Sequence, residues 1–187
     1  KLLGGVHLPV DIGTPLTPFR SWNEMLAREA DGAPSGALDP EAIQDLVTFL
    51  ELCVREEGQR GFDKLTIQMV ATAVRRVYEQ QFRAAPEERP LMRHFRAAIA
   101  ELGKTVEHPD DRRICEDVAR RLSLYVGDSM YGTFLDRPSN LRFDARLITF
   151  DMAAVSKSPI TRSIAMSTVM STITTRAASK RKGGGRT

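Results

Sequence analysis

The sequence has few of the residues on which many small functional sites depend. Its 187 residues include two cysteines and three histidines. Cys53 and Cys115 are too few for a disulfide scaffold or a four-cysteine zinc site. The histidines, His7, His94 and His108, do not have the spacing of metal ligands and fit no catalytic triad. We therefore expect a reduced, cytosolic domain with no metal site.

Long apolar runs are also missing. The longest segment without a charged residue runs from 163 to 175, and about half of it is serine or threonine. A membrane-spanning helix needs roughly 20 mostly apolar residues, so none is predicted. Hydrophobic residues make up 42% and charged residues 27% of the chain. This composition is typical of a soluble globular domain with a core of ordinary size.

Acidic residues are missing from the C-terminal tail. Arg176, Lys180, Arg181, Lys182 and Arg186 lie there with no aspartate or glutamate between them. The net charge of +3 therefore comes from this tail, and the rest of the chain is slightly acidic. A basic tail alone gives weak support for nucleic-acid binding, and a solvated connector is the preferred interpretation.

Both ends of the sequence lack the polar segments typical of domain termini. The chain becomes apolar at Leu2, and its last residues follow three glycines at 183–185 with no further apolar segment. We therefore expect the 187 residues to be part of a longer protein.

Four amphipathic helices are predicted from helix-capping residues and from apolar residues at helical spacing. Three of them are predicted to begin and end at Asp39-Pro40 and Gly58, at Pro90 and Gly103, and at Pro109 and Gly127. Asp63 caps the remaining one, whose apolar face is formed by Met69, Val70, Ala73, Val74, Val77 and Tyr78. A segment at 28–39, rich in glycine and proline, is predicted to be a surface loop. The four helices together predict a helical subdomain.

Two strand-like segments flank these helices. Val6–Val10 is a short apolar run, and Arg146–Asp151 has the composition of a buried strand that ends in a carboxylate. A fifth helix is predicted to begin at Ser158-Pro159. We therefore predict an α/β fold in which residues 1–20 and 146–187 are parts of one mixed sheet core. Residues 21–145 would form the mainly helical subdomain inserted between them.

No pattern in the sequence identifies a catalytic residue. Asp151 ends a strand as a magnesium-binding aspartate does, but without a GxxxxGK[ST] phosphate loop we prefer a turn function. The glycines at 183–185 lack the Lys-Ser/Thr of such a loop and are interpreted as a linker. Cys53 lies on an apolar helix face and is predicted to be a core residue. We assign no catalytic residue and no metal ligand, and leave cofactor-binding residues open.

Charged pairs lie on the predicted helices. Arg75-Arg76, Arg112-Arg113 and Arg120-Arg121 are of the type that can stabilise a phosphoryl-transfer transition state in a neighbouring subunit, although most exposed arginine pairs are only solvated. Asp110-Asp111 is placed to stabilise the positive N-terminus of the fourth helix. No acidic pair forms a convincing general acid and base.

The stretch 122–151 has a more distinctive order of residues. A helix end is followed by a Tyr-Gly turn, an aspartate, Ser-Asn-Leu and a Phe-Asp strand. The residues concerned are Tyr125, Gly127, Tyr131, Gly132, Phe134, Asp136, Ser139, Asn140, Leu141, Phe150 and Asp151. This order resembles the conjugative-transfer ATPases of bacterial type IV secretion systems, of the TraC/TrbE type.

The start of the chain agrees with this resemblance. Leu3–Leu8 and Leu16–Phe19 are similar to the family's Leu-Gly-Gly strand and Asn-Pro-Phe turn, with Thr17 where asparagine is usual. A second departure is Leu135, which separates Phe134 from Asp136 where many members have the phenylalanine and aspartate adjacent.

The resemblance implies a P-loop NTPase fold of the RecA-like FtsK/HerA group. In this family the phosphate loop lies upstream of the Leu-Gly-Gly strand and the magnesium-binding Asp-Glu strand downstream of the fifth helix. This chain would be the segment between them, so ATP and Mg²⁺ would be bound by the parent protein and not by these residues alone. The fragment alone is expected to be inactive as an ATPase.

The resemblance also implies partners and a location. The parent would be a homo-oligomer at the cytoplasmic face of the bacterial inner membrane, in contact with other type IV secretion subunits. Its ATP hydrolysis would power pilus assembly and the export of DNA–protein complexes or effectors.

Two other functions stay open. One is a non-catalytic helical module that contacts other secretion subunits. The other is a helical nucleic-acid-binding domain with a basic tail. No predicted helix carries a recognition pattern of arginine, asparagine and glutamine on its exposed face, so DNA is the less supported partner.

Overall fold

The computed structural model describes residues 6–10, 14–29, 32–55, 58, 60–139, 148–156, 159, 161–170 and 173. Its elements, in chain order, are β1 (Val6–Pro9), α1 (Trp22–Met25), β2 (Leu26–Arg28), β3 (Pro34–Leu38), α2 (Pro40–Val54), α3 (Lys64–Val77), α4 (Met92–Thr105), α5 (Pro109–Leu122), α6 (Gly132–Leu135) and β4 (Ile148–Asp151). A π-helical turn at Tyr78–Phe82 extends α3, and a 3₁₀ turn at Ser123–Tyr125 extends α5.

The two strand segments from opposite ends of the chain lie side by side. β1 and β4 are parallel, and their register runs from Val6 opposite Ile148 to Pro9 opposite Asp151. The Val10 N–H continues the pairing by donating to the Asp151 carbonyl at 2.8 Å. The prediction that both segments belong to one sheet is confirmed. The complete P-loop core and the domain boundaries at 20 and 146 stay predictions.

Three predicted helix starts are confirmed, two by capping hydrogen bonds and one by the position of a proline. The Asp39 carboxylate accepts a hydrogen bond from the Glu41 N–H at 3.0 Å at the start of α2. The Asp63 carboxylate accepts one from the Thr66 N–H at 2.7 Å at the start of α3, and this contact lowers the pKa of Asp63. At α5, Pro109 occupies the first helical position as predicted.

The predicted helix ends were less accurate. α2 ends at Val54, before Gly58, because Arg55 is already extended. α4 begins at Met92, after Pro90, and Gly103 lies inside it. A Cβ atom at Gly103 would lie 3.0 Å from the Cβ of Cys115, so this glycine allows α4 and α5 to pack closely. α5 ends at Leu122 and the 3₁₀ turn precedes Gly127.

The predicted surface loop at 28–39 is wrong. β2 and β3 form an antiparallel hairpin, with Leu26 opposite Leu38. The Glu29 N–H donates to the Ala33 carbonyl at 2.9 Å, and Gly32 has a φ of 86°. A positive φ is available to glycine without steric cost, which lets the chain reverse here. The strands are short and mostly exposed, so no alternating apolar pattern marks them.

Aromatic side chains join the segment after β1 to the helices. The Phe19 ring lies 4.6 Å from that of Phe95 on α4 and 5.9 Å from that of Phe49 on α2, measured between centroids. The Tyr78 hydroxyl donates to the Arg20 carbonyl at 2.9 Å. Cys53 is buried in the same core, and burial raises its thiol pKa, so its prediction as a core residue is confirmed.

The predicted fifth helix is present at 161–170, with Ile164 and Val169 buried. Ser158, Ile160 and the basic tail lie outside the described residues. Within the described ranges, no helix combines the length and apolar character needed to cross a bilayer.

Candidate functional sites

Asp136, which follows α6, is a fully buried carboxylate. Its oxygens accept hydrogen bonds from the backbone N–H of Arg93 at 2.8 Å, from Nε of Arg93 at 3.0 Å and from the N–H of Gly127 at 2.8 Å. Arg93 also donates from Nη2 to the Asp136 carbonyl at 3.0 Å. One side chain therefore fixes the first turn of α4, the segment after α5 and the end of α6 to one another.

This arrangement explains how a charge is tolerated in the interior. A buried carboxylate is destabilising unless it is paired and hydrogen-bonded. Here its oxygens meet three donors, and the Arg93 side chain remains 52% exposed, so the cation keeps much of its hydration. Arg93 was not identified from the sequence, since an arginine in the first turn of a helix has no distinguishing pattern.

The segment after β1 joins the same region. The Leu16 N–H donates to the Phe134 carbonyl at 2.8 Å, and the Thr17 hydroxyl donates to the Arg137 carbonyl at 2.9 Å. The two blocks of sequence that carry the family resemblance are therefore in direct contact. Among the described residues, these hydrogen bonds hold the two blocks against each other.

The Tyr-Gly turn is fixed by close packing. Gly127 has a φ of 63°. The Tyr125 and Tyr131 rings stack with centroids 5.3 Å apart. A Cβ atom on Gly132 would overlap the Gly127 carbonyl oxygen. Only glycine fits at position 132 without displacing backbone.

Replacing Gly132 by alanine is therefore expected to lower the free energy of unfolding by about 2 kcal/mol, the typical cost of forcing an added methyl into a packed site. Urea unfolding followed by circular dichroism measures this. Met130→Ala is the matched control in the same turn, because its side chain is 69% exposed. An unfolding midpoint for Gly132→Ala equal to that of the control would contradict the close packing.

The end of β4 holds no constellation of reactive groups among the residues described. Asp151 Oδ1 accepts a hydrogen bond from the Ala153 N–H at 3.0 Å, which supports the turn function preferred from the sequence. Its Oδ2 lies 3.8 Å from Nε2 of His7, and both side chains are largely exposed. Across the described ranges, no three His, Cys, Asp or Glu side chains gather as metal ligands would.

Two histidines serve at helix starts. His94 Nδ1 accepts a hydrogen bond from the Leu91 N–H at 2.8 Å, and His108 Nδ1 accepts one from the Asp110 N–H at 3.3 Å. Asp110 and Asp111 lie in the first turn of α5 as predicted. Burial, and secondly the nearby charge of Arg93, lower the pKa of His94. The accepting nitrogen must be unprotonated, which agrees with this direction.

The His94 environment predicts a pH effect on stability. Because the pKa of His94 is lower in the folded than in the unfolded chain, protonation favours the unfolded state. Its contribution is complete above the unfolded pKa of about 6.5 and is lost as the pH falls below it. The midpoint of urea unfolding should fall between pH about 7.5 and pH about 5.5, and this fall should be smaller in His94→Gln than in the unchanged chain. Equal falls in His94→Gln and in the unchanged chain would refute this.

The arginine pairs occupy different settings. Arg120 and Arg121 both pair with Asp117 on the same helix, and Arg121 Nε lies 2.7 Å from Asp117 Oδ2. Arg76 Nη1 donates to the Thr105 hydroxyl at 3.5 Å. Arg112 Nη2 reaches the Val106 carbonyl at 3.5 Å. Action of any of these arginines at a neighbouring subunit's ATP site stays a prediction.

Two open grooves lie on either side of α5. The first has a volume of about 610 Å³ and runs between the end of α2, the start of α3 and α5. The second has a volume of about 630 Å³ and lies between α4 and α5. Arg120 borders both grooves. Both are rich in cationic side chains, which the distribution of charge along the sequence did not reveal.

Comparison with known proteins gives one informative result. No family model matches the sequence, and no curated protein matches it significantly. Among solved structures, VirB4 of Thermoanaerobacter pseudethanolicus superposes with a TM-score of 0.68 at 15% sequence identity. The chain shares the fold of that VirB4. The match covers 96% of this chain but 64% of the VirB4 chain, so this chain spans less than two thirds of that structure.

Proposed function

We propose that the chain is part of the ATPase motor of a type IV secretion system. VirB4 is a type IV secretion ATPase, and the fold shared over 96% of this chain is the observation that carries the proposal. The sequence resemblance indicates the same class of proteins. Its two blocks meet around Asp136, as the contacts of Leu16 and Thr17 demonstrate.

The strand pair supports a position for the chain within such a motor. Ligands of open parallel α/β sheets bind beyond the carboxyl ends of the strands. In this chain Pro9 and Asp151 occupy those ends in two adjacent strands. The helical subdomain is inserted between the two strands, so it would lie beside a nucleotide site completed by other segments of the parent. ATP, Mg²⁺, the phosphate loop and the Asp-Glu strand are assigned to those other segments.

The wider assignment follows the same class of protein. The parent is proposed to be a homo-oligomer at the cytoplasmic face of the inner membrane, in contact with other secretion subunits. Its cargo would be DNA–protein complexes or effectors. A non-catalytic contact module of the same apparatus is the alternative function, and the parent reading frame distinguishes the two.

The deciding experiment starts from the reading frame that encodes these residues. We expect a GxxxxGK[ST] loop encoded upstream and an apolar strand ending in Asp-Glu downstream. The complete protein should hydrolyse ATP, and replacement of the loop lysine by alanine should abolish hydrolysis. A reading frame without a phosphate loop would refute the ATPase assignment and favour the contact module.

The 187-residue chain itself supplies a second test. Because the phosphate-binding and magnesium-binding residues are assigned elsewhere, isothermal calorimetry should detect no tight binding of MgATP to this chain. The complete protein is the positive control under the same conditions. Micromolar affinity of the chain alone would show that a nucleotide site lies within it, contrary to the proposal.

A further inference from the structure

The groove between α2, α3 and α5 has a strongly cationic rim. We call it the α5 groove. Among its described lining residues are five arginines and two aspartates: Arg55, Arg60, Arg113, Arg120, Arg121, Asp63 and Asp117. This excess of positive charge contrasts with the slightly acidic body of the chain outside its tail.

Both aspartates of the α5 groove already have partners. Asp117 binds the guanidinium groups of Arg120 and Arg121. Asp63 caps α3 through the Thr66 N–H. These hydrogen bonds lower the pKa of both carboxyl groups, so both are ionised at neutral pH. Neither is free to neutralise the rest of the rim.

Three arginines of the rim have no such partner. Arg55, Arg60 and Arg113 are exposed, and within the described part of the chain none of them makes an ion pair or a side-chain hydrogen bond. Guanidinium groups bind carboxylates through two parallel hydrogen bonds and are weakly hydrated, so they are suited to an interface. The rim therefore offers three unsatisfied sites for carboxylate groups.

The floor of the α5 groove is apolar. Val54 and Val118 are buried, and Phe62 and Ile114 are partly buried against the core. The second groove differs, because its apolar lining consists of the small residues Ala100, Gly103 and Ala119. Of the two grooves described here, the α5 groove is the one that combines a floor of larger apolar side chains with an arginine-rich rim.

We propose that the α5 groove is a docking site for an acidic protein segment whose carboxylates alternate with apolar side chains. Such a segment places carboxylates against Arg55, Arg60 and Arg113 and apolar side chains on the floor. A nucleic-acid backbone fits less well, because it has no apolar side chains and because the two fixed aspartates repel a continuous run of phosphates. The proposal does not depend on ATPase activity of the parent.

The test selects peptides on the intact 187-residue chain from a randomised phage-displayed library. We expect recovered peptides to be enriched in aspartate or glutamate interspersed with apolar residues. Fluorescence anisotropy then measures the affinity of a selected, labelled peptide. Arg60→Glu and Arg113→Glu should each weaken it by about tenfold or more, because an attraction becomes a repulsion.

Arg162→Glu is the matched control, since Arg162 is exposed on the helical segment 161–170 and outside the α5 groove. It should leave the affinity unchanged. Circular dichroism verifies that each variant is folded. If a glutamate variant does not fold, the neutral variant Arg60→Gln or Arg113→Gln is used in its place. Recovered peptides without acidic enrichment, or an equal effect of all three reversals, would overturn the proposal. So would tighter binding of a single-stranded oligonucleotide at the same groove at physiological salt.

Discussion

Replacement of Asp136 by alanine is expected to lower the free energy of unfolding by about 3 kcal/mol. The change leaves the N–H groups of Arg93 and Gly127 without their acceptor, and an unsatisfied buried donor costs about 1–3 kcal/mol. Loss of the ion pair with the Arg93 side chain contributes less to this decrease, because that side chain is half exposed and its guanidinium group can be hydrated by water instead. The loss would be distributed over α4, the Tyr-Gly turn and α6, which all meet at this carboxylate.

Urea unfolding followed by circular dichroism measures this loss. Asp128→Asn is the matched control in the same turn, because Asp128 is almost fully exposed and its contact with Arg137 is 3.5 Å long. Its unfolding midpoint should not change. Arg93→Met should also lower the midpoint, because it leaves the buried Asp136 carboxylate with two backbone donors and no cation. An Asp136→Ala chain as stable as Asp128→Asn would show that the carboxylate does not join these elements.

Replacement of Phe95 by alanine is expected to lower the free energy of unfolding by about 4 kcal/mol, within the range for deletion of a buried phenyl ring. Phe95 has no exposed surface and contacts the rings of Phe19 and Tyr78. Its loss opens a cavity between α4 and the segment that follows β1. The effect should therefore reach the strand pair as well as the helices.

The same unfolding experiment measures this loss, with Leu124→Ala as the control because Leu124 is 54% exposed. Phe95→Leu should fall between the two, since leucine refills part of the cavity. Equal midpoints for Phe95→Ala and Leu124→Ala would contradict the position of Phe95 in the core.

The helices could be predicted from the sequence because their signals are local. Asp39, Asp63 and Pro109 cap or begin helices through contacts within a few residues. Gly103 was misread as a helix end, because the reason for a glycine there is the neighbouring helix α5 and not the local backbone. The β2–β3 hairpin was missed because its strands carry no alternating apolar pattern.

The contacts of Asp136 could not be predicted in the same way. The resemblance placed Asp136 in a motif, but Arg93 is 43 residues earlier in the chain. Only folding brings the two side chains together, and nothing in the spacing of residues indicates the pair. The α5 groove could not be predicted for the same reason, because its arginines come from segments that are far apart in the sequence. Acidic residues lie between these arginines along the chain, so no cationic cluster is visible in the sequence.

The parallel pairing of β1 with β4 has a consequence for the order of folding. The two strands are separated in sequence by the whole helical subdomain, so their association closes a very long loop of chain. Closing such a loop has an entropic cost that contacts between neighbouring helices largely avoid. The helices can collapse early through their local contacts, with the strands joining late. During synthesis on the ribosome, β1 would then remain unpaired until the chain has emerged as far as Asp151.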